Sequence, residues 1–341
     1  MSPLRLELPA PVTGRIKVLD ELKGVAIILV ILYHVGGVLS WANGPHGEAG
    51  VDMFVILSGV GLTLSSTSEG VGRFLARRFW RIFPAYWVVL TALLLCDAHF
   101  RGQHYTPADI ALHYAGIQAW FGDRYAVSIS DAFWFVTLIV SLYLAYAPMR
   151  RLLARPDKLL FAGAALSFAV ATLCLRLNQP VEFGHFSVRF PGFFVGLLAG
   201  HLLKQGRLEI PLSMYLAGAF LLIFYAPYLL GYMFGGVWVG FALLVGYAFL
   251  LHPLLPAAVR SVLAFLGVRS LEIFLMHQVL IREYNVYVLQ RFFPGVGITT
   301  WPLVAGICAG LAVTVALSSG LHALLRRLSS GRKVVVVEPE I

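Results

Sequence analysis

Charged side chains are scarce in this sequence. Asp, Glu, Lys and Arg make up 13% of its 341 residues, against 59% hydrophobic ones. A water-facing domain carries about 25% charged residues, so this chain has too little polar surface to coat a soluble globule. It is expected to lie mostly in lipid. Cysteine is scarce too. Cys96, Cys174 and Cys308 stand apart in apolar runs, with no paired spacing for a disulfide framework or a zinc site, and read as small packing residues. H-E-x-x-H, G-x-S-x-G and the P-loop are all missing, and no metal or resident cofactor is expected. There is no internal repeat and no low-complexity linker, so one membrane domain is expected. Nor is there a basic block. The net charge is +9, but the 26 Lys and Arg sit in short clusters between apolar runs. That pattern argues against nucleic acid as a partner and for orientation in a lipid bilayer.

What the sequence does have is apolar runs long enough to span a bilayer, which takes about 20 residues. They recur near 19–41, 49–67, 82–98, 131–149, 159–177, 187–203, 211–230, 233–252, 262–281 and 301–323. The expected fold class is all-α: a polytopic membrane protein of about ten transmembrane helices. No A-x-A-like site follows the first run, which is expected to persist as the first helix. With connections alternating between two sides, twenty of the 26 basic residues fall on the side of the N-terminus. Six fall opposite: Arg101, Arg124, Arg176, Arg189, Arg282 and Arg291. The positive-inside rule then places both termini in the cytoplasm. Residues 1–18 read as a cytoplasmic segment, 19–325 as the transmembrane domain and 326–341 as a cytoplasmic tail. The longest outer loop, about 99–130, is too short for a second domain but long enough to cap a cavity.

Ionisable groups within the apolar runs point to chemistry or transport. Lys23 and His34 are eleven positions apart, about three turns plus some 20°, so they share one helix face roughly 16 Å apart. An imidazole can act as a general base near neutral pH. A structural histidine bonded to a neighbouring helix is the plainer alternative. The segment G-V-D-M-F-V-I-L-S-G opens the second run and carries Asp52 and Ser58. Asp52, about one turn in, is placed near the depth of His34, where it could orient the imidazole. It could equally be satisfied by free N–H groups at the helix start. Gly59 and Gly61 allow close helix approach.

Arg73, Arg77 and Arg81 recur every four residues along one face of a short helix, with Arg78 beside them. They suit anchoring to anionic lipid, or a ligand bearing several phosphates, which guanidinium forks grip bidentately. Near the end, L-G-V-R-S-L-E-I-F-L-M-H places Glu272 and His277 in an apolar helix. Their azimuths differ by about 140°, so they need not serve one site. A buried Glu bonded within the bundle is the plainer reading. Trp134 adds little alone.

Together these segments resemble the acyltransferase-3 family of integral membrane proteins. Leu19, Asp20, Leu22, Lys23, Gly24 and His34 match its opening L-D-x-[LI]-[RK]-G motif and following histidine. Gly50, Val51, Asp52, Phe54, Leu57, Ser58 and Gly59 match G-V-D-x-F-F-x-L-S-G. Arg77, Arg78, Arg81, Ile82, Pro84 and Tyr86 match R-R-x-x-R-[IL]-x-P-x-Y. Ser270, Leu271, Glu272, Ile273, Phe274, Leu275 and His277 match S-[LY]-[ES]-[IL]-[YF]-L-x-H. Lys23 stands where arginine is commoner. Ile139 stands where many members have a carboxylate after Trp134, so no role for that carboxylate carries over.

The resemblance implies a membrane-bound O-acyltransferase of the bacterial inner membrane. Cytoplasmic acyl-CoA, commonly acetyl-CoA, is the expected donor. A hydroxyl of an extracytoplasmic or lipid-linked glycan is the expected acceptor, with polysaccharide-synthesis proteins as partners. Lys23, His34 and Asp52 then form the catalytic set, and Arg73, Arg77, Arg78 and Arg81 bind the CoA phosphates. Ser58, Trp134, Glu272 and His277 support them. No hydrolase-like domain follows, so the membrane domain is expected to finish the transfer or hand the acyl group to another protein. Two other readings stay open: a proton-coupled exporter relaying through His34, Asp52 and Glu272, and a non-catalytic scaffold.

Overall fold

The computed structural model describes residues 4–7, 16–39, 46–65, 70–149, 155, 158, 162–163, 189–210, 236–292 and 301–331. Cys174, most of the runs at 159–177 and 211–230, and the segment after Gly331 lie outside them. Among the described residues the chain is mostly helical. The first part holds β1 (Leu4–Glu7), α1 (Lys17–Val38), α2 (His46–Leu64), α3 (Val71–Cys96), α4 (Pro107–Ala115), α5 (Asp123–Ala126) and α6 (Trp134–Met149). The second holds α7 (Phe190–Gln205), β2 (Arg207–Ile210), α8 (Gly236–Gly246), α9 (Ala257–Val268), α10 (Ser270–Gln278), α11 (Tyr284–Phe292) and α12 (Trp301–Gly331). Two described helices are long and apolar enough to cross a membrane, Val71–Arg101 and Leu303–Ser329. Shorter apolar helices cover Ala49–Leu64, Asp131–Ala147, Ala257–Val268 and Ser270–Ile281.

The fold is not purely helical. β1 pairs antiparallel with β2, with Leu4 opposite Ile210 and Glu7 opposite Arg207. This joins two segments that the positive-inside rule puts on one side of the membrane. α3 and its wide last turn form one 31-residue helix through Arg101, with Pro84 inside it. The arginines are thus its first turns, not a separate short helix. At 1.5 Å per residue it reaches about 46 Å, longer than a hydrocarbon core of about 30 Å. α12 likewise runs through Gly331, so the boundary expected at 326 falls inside a helix.

Glycines set the helix crossings. A Cβ at Gly24 would strike the Leu263 carbonyl, and one at Gly267 the Asp20 carbonyl. These contacts run in opposite order, so α9 lies antiparallel to the foot of α1, backbone on backbone. The chain then turns at Arg269 and α10 climbs back along α1. The run 262–281 is therefore a helical hairpin rather than one span. Gly196 abuts the Ile56 carbonyl and Gly200 the Val60 carbonyl, while Gly59 abuts the Phe193 carbonyl. The numbers rise together, so α2 and α7 run parallel. Gly61 meets nothing within 4 Å, so only Gly59 of that pair serves a close approach.

The middle of the segment 99–130 does not lie across the outer end. It folds back along α3. Thr106 caps α4, with Asp109 completing a capping box and Pro107 in the first turn. The Trp87 indole donates to the Tyr114 carbonyl (2.9 Å) and the Trp120 indole to Ser141 (2.9 Å). Gly116 ends α4 at φ +69°, and a Cβ there would press on the Phe83 ring. Both its positive φ and its missing side chain are used. The main core lies between α3 and α6, with Phe74, Tyr86, Phe133 and Tyr146, and continues to Phe193 of α7 and Phe274 of α10.

Gly267→Ala should separate α1 from α9. Overpacking of this kind costs about 1–3 kcal/mol, so thermal unfolding in detergent should shift several degrees lower. Gly61→Ala serves as the control and should leave the midpoint unchanged or slightly higher, because alanine is the better helix former where space is open; an equal fall in both would deny the glycine contact its role.

Candidate active site

His34 lies one turn before the end of α1, and α10 climbs far enough along that helix to bring His277 against it. The two imidazole centroids are 4.9 Å apart, with planes tilted by 54°. His34 is half-buried and His277 is completely buried. Tyr33 meets the His34 ring edge-on. The Nδ1 of His277 lies 2.7 Å from the Phe274 carbonyl oxygen. A carbonyl only accepts, so Nδ1 carries the hydrogen. Beside it, the Gln278 amide donates to Asp131 (3.1 Å), in the turn that leads into α6. Glu272, lower on α10, accepts from His322 of α12 (2.9 Å), so it and His277 do serve different places.

Asp52 sits deeper than the sequence suggests. α2 begins at His46, which puts Asp52 almost two turns in. A Cβ at Gly50 would touch Ala26, Leu29 and Val30 of α1, and Leu22 shares a cluster with Ile56 and Leu57. The two helices are antiparallel, so Asp52 lies roughly 12 Å below His34 along the axis. Arg189, at the start of α7, pairs with it at 3.5 Å. Each is 1% exposed. The Arg189 guanidinium also lies over the Trp134 ring, 5.2 Å from its centroid. The Phe135 ring, next to Trp134, packs 4.5 Å from Phe274, which links this pair to the histidines through the aromatic core. Ser58 is half-buried on α2, one residue before the Gly59 crossing.

At the opposite end, Lys23 pairs with Asp20 (3.2 Å). Glu21 accepts from Tyr247 (2.7 Å) and His252 (2.8 Å), and Arg260 donates to the other nitrogen of His252. The four arginines of α3 divide. Arg73 and Arg81 are exposed and Arg77 is half-buried. Arg78 is buried, donates to Ser65 (2.7 Å) and lies against Phe74 and Tyr143. It clamps α3 to the end of α2 and offers no open fork.

Arg189, Asp131, Gln278 and His322 were not singled out by the sequence. A lone arginine heading the apolar F-P-G-F-F stretch, and a glutamine directly after His277, are the signals that could have found the first and third. Among the described residues no three His, Cys, Asp or Glu side chains gather as a metal ion would need.

The family model described as an acyltransferase domain matches residues 16–322. This chain belongs to the acyltransferase-3 family. It is similar to a protein of Acidianus two-tailed virus provisionally named acetyltransferase ORF330, 28% identical over 62% of this chain and 64% of the relative. It is similar to the peptidoglycan O-acetyltransferase OatA of Listeria monocytogenes, 30% identical over 34% of this chain and 19% of that protein. A Komagataeibacter xylinus protein provisionally named membrane-bound transacylase BcsY is 36% identical over 28% of this chain and 24% of its own. The chain thus spans less than two thirds of the length of each of these relatives. No solved structure matches it. Within this acyltransferase-3 chain, residues from three of the four segments that carry the resemblance fall toward two ends of the bundle, with Asp52 between them. His34 and His277 lie at one, Lys23 and the α3 arginines at the other.

Removing one partner of a buried ion pair leaves a lone charge and costs about 3–5 kcal/mol, whereas replacing both with apolar groups is close to neutral. Arg189→Met should therefore sharply reduce thermal stability in detergent, and adding Asp52→Leu should restore most of it. A double variant as unstable as the single would mean that the pair does not govern folding.

Proposed function

We propose that this acyltransferase-3 protein transfers an acetyl group from cytoplasmic acetyl-CoA to a hydroxyl of an extracytoplasmic or lipid-linked glycan, within a polytopic helical bundle of the bacterial inner membrane whose termini face the cytoplasm. The observation that carries this reading is the placement of His34 against a second imidazole at one end of a helical bundle whose other end carries exposed arginines. The name of OatA, a peptidoglycan O-acetyltransferase, supports a carbohydrate acceptor.

CoA phosphates meet Arg73, Arg77 and Arg81, with Lys23 further along the same end. Arg78 holds that surface in place through Ser65. The pantetheine arm follows the Lys23–His34 face, roughly 16 Å, and presents the thioester to His34. The acceptor hydroxyl attacks the thioester carbon as His34 takes its proton. The tetrahedral adduct then expels the CoA thiolate, which recovers that proton. The products are an acetyl ester and CoA. General-base assistance contributes about 10²–10⁴ in rate, and holding the two reactants together supplies much of the rest. Asp52 keeps Arg189 against Trp134, below His34 on the side from which the pantetheine arm arrives. Polysaccharide-synthesis proteins would deliver the acceptor. Asp52 and Glu272 have their own polar partners in Arg189 and His322, which weighs against a proton relay through His34.

His34→Ala should abolish transfer from labelled acetyl-CoA to a glycan acceptor while the protein still elutes as a folded species. Retained acetylation would remove His34 from the chemistry. Arg81→Ala should raise the KM for acetyl-CoA several-fold and leave kcat near native. An unchanged KM would make that helix end a lipid anchor only.

A further inference from the structure

We propose that His277 is a positioning residue that fixes the tautomer of His34 and receives a hydrogen bond from it when His34 becomes charged. This rests on the transfer reading above and assigns to His277 the orienting part that the sequence suggests for Asp52.

With Nδ1–H committed to the Phe274 carbonyl, a neutral His277 ring has one nitrogen left, Nε2, carrying a bare lone pair. Among the described residues that nitrogen, like Nε2 of His113, is buried without a hydrogen-bond partner, but it alone of the two has a second imidazole against its ring. Buried polar atoms are nearly always satisfied, and an exception needs a reason. A proton at Nε2 is no remedy, because it would make a buried cation beside a second imidazole. What the lone pair lacks is a donor. The imidazole of His34, 4.9 Å away between centroids and only half-buried, is the neighbouring ring that carries an N–H.

A neutral His34 has one N–H. If that hydrogen faces His277, the other nitrogen is bare toward the acceptor hydroxyl, as a base must be. When His34 takes the hydroxyl proton, both its nitrogens carry hydrogen, and the one facing His277 becomes a stronger, charge-assisted donor. The bond strengthens as charge develops and weakens when the proton passes to the CoA thiolate. Such an interaction raises kcat rather than tightening donor binding. No atom of His277 bonds to substrate, and its own proton stays on Nδ1 throughout. Asp52, paired with Arg189 some two turns deeper, is not required for this step.

Two substitutions separate the nitrogens, read in the full chain in nanodiscs with acetyl-CoA and a glycan acceptor. His277→Asn can keep an amide N–H for Phe274 but places nothing at Nε2. His277→Gln can place an amide oxygen near Nε2 but gives up the Phe274 bond. The Asn variant should lose about 10²–10⁴ in kcat with the KM for acetyl-CoA unchanged, and the Gln variant should recover at least about tenfold over it. A folded Asn variant with near-native kcat, or a Gln variant no better than Asn, overturns the proposal. Should the Asn variant not fold, the Gln variant decides alone: activity within about a hundredfold of native at unchanged KM supports the role, and a folded, inactive protein denies it. His34→Ala is run beside them. If the native protein itself transfers nothing, the transfer reading falls; if His34→Ala stays active, transfer stands but His34, and the pairing with it, leaves the chemistry. If it is inactive while His277→Asn is active, only the pairing of the histidines falls.

Discussion

An ionisable side chain inside an apolar bundle persists when another group supplies its partner, because an unpaired charge there is far costlier than the pair. The buried carboxylates of this protein show how that constraint holds its helices in register. Glu21 of α1 is held by Tyr247 and His252, just beyond α8. Asp52 of α2 is held by Arg189 of α7, and Glu272 of α10 by His322 of α12. Arg78 ties α3 to Ser65 at the end of α2 by the same logic. Each bond is directional, so it specifies which face of each helix turns inward, something that apolar contact alone does loosely.

Glycine makes those bonds reachable. Backbone contact at Gly24, Gly267, Gly59 and Gly196 brings the helices close enough for short side chains to pair across them. In lipid this closeness matters more than in water, since apolar side chains gain little by leaving lipid for one another. The crossing of α1 by α9 also decides where the hairpin turns back. Had the run through Arg269 continued straight, α10 would not have climbed along α1, and His277 would not have met His34.

Among the described residues, exceptions to the pairing rule include His113 and His277, fully buried rings with Nδ1 on a backbone carbonyl and Nε2 without a hydrogen-bond partner; of the two, His277 lies against a second imidazole. Its setting contrasts with His252, whose two nitrogens both have partners. The comparison separates a histidine that braces the foot of α1 from one whose ring lies against a second imidazole. A two-ended molecule results, with basic side chains at one end of α3 and paired imidazoles at the other end of α1.

Scarce charge, long apolar runs and segregated arginines are properties of the chain itself, so the helical membrane class was legible without coordinates. So was the prominence of Lys23, His34 and the α3 arginines, because ionisable residues stand out against apolar neighbours. The β1–β2 pairing was not legible, since four-residue strands carry too little pattern. Nor was the fold-back of α4, whose mixed polarity reads as an ordinary loop. The partners of Asp52 and Glu272, the burial of Arg78, the hairpin at Arg269 and the meeting of His34 with His277 required the tertiary structure. Composition and spacing act along one helix, where 3.6 residues per turn sets every face. Partners from distant helices depend on crossing points where two backbones touch, and a glycine in the sequence does not say which backbone it will touch.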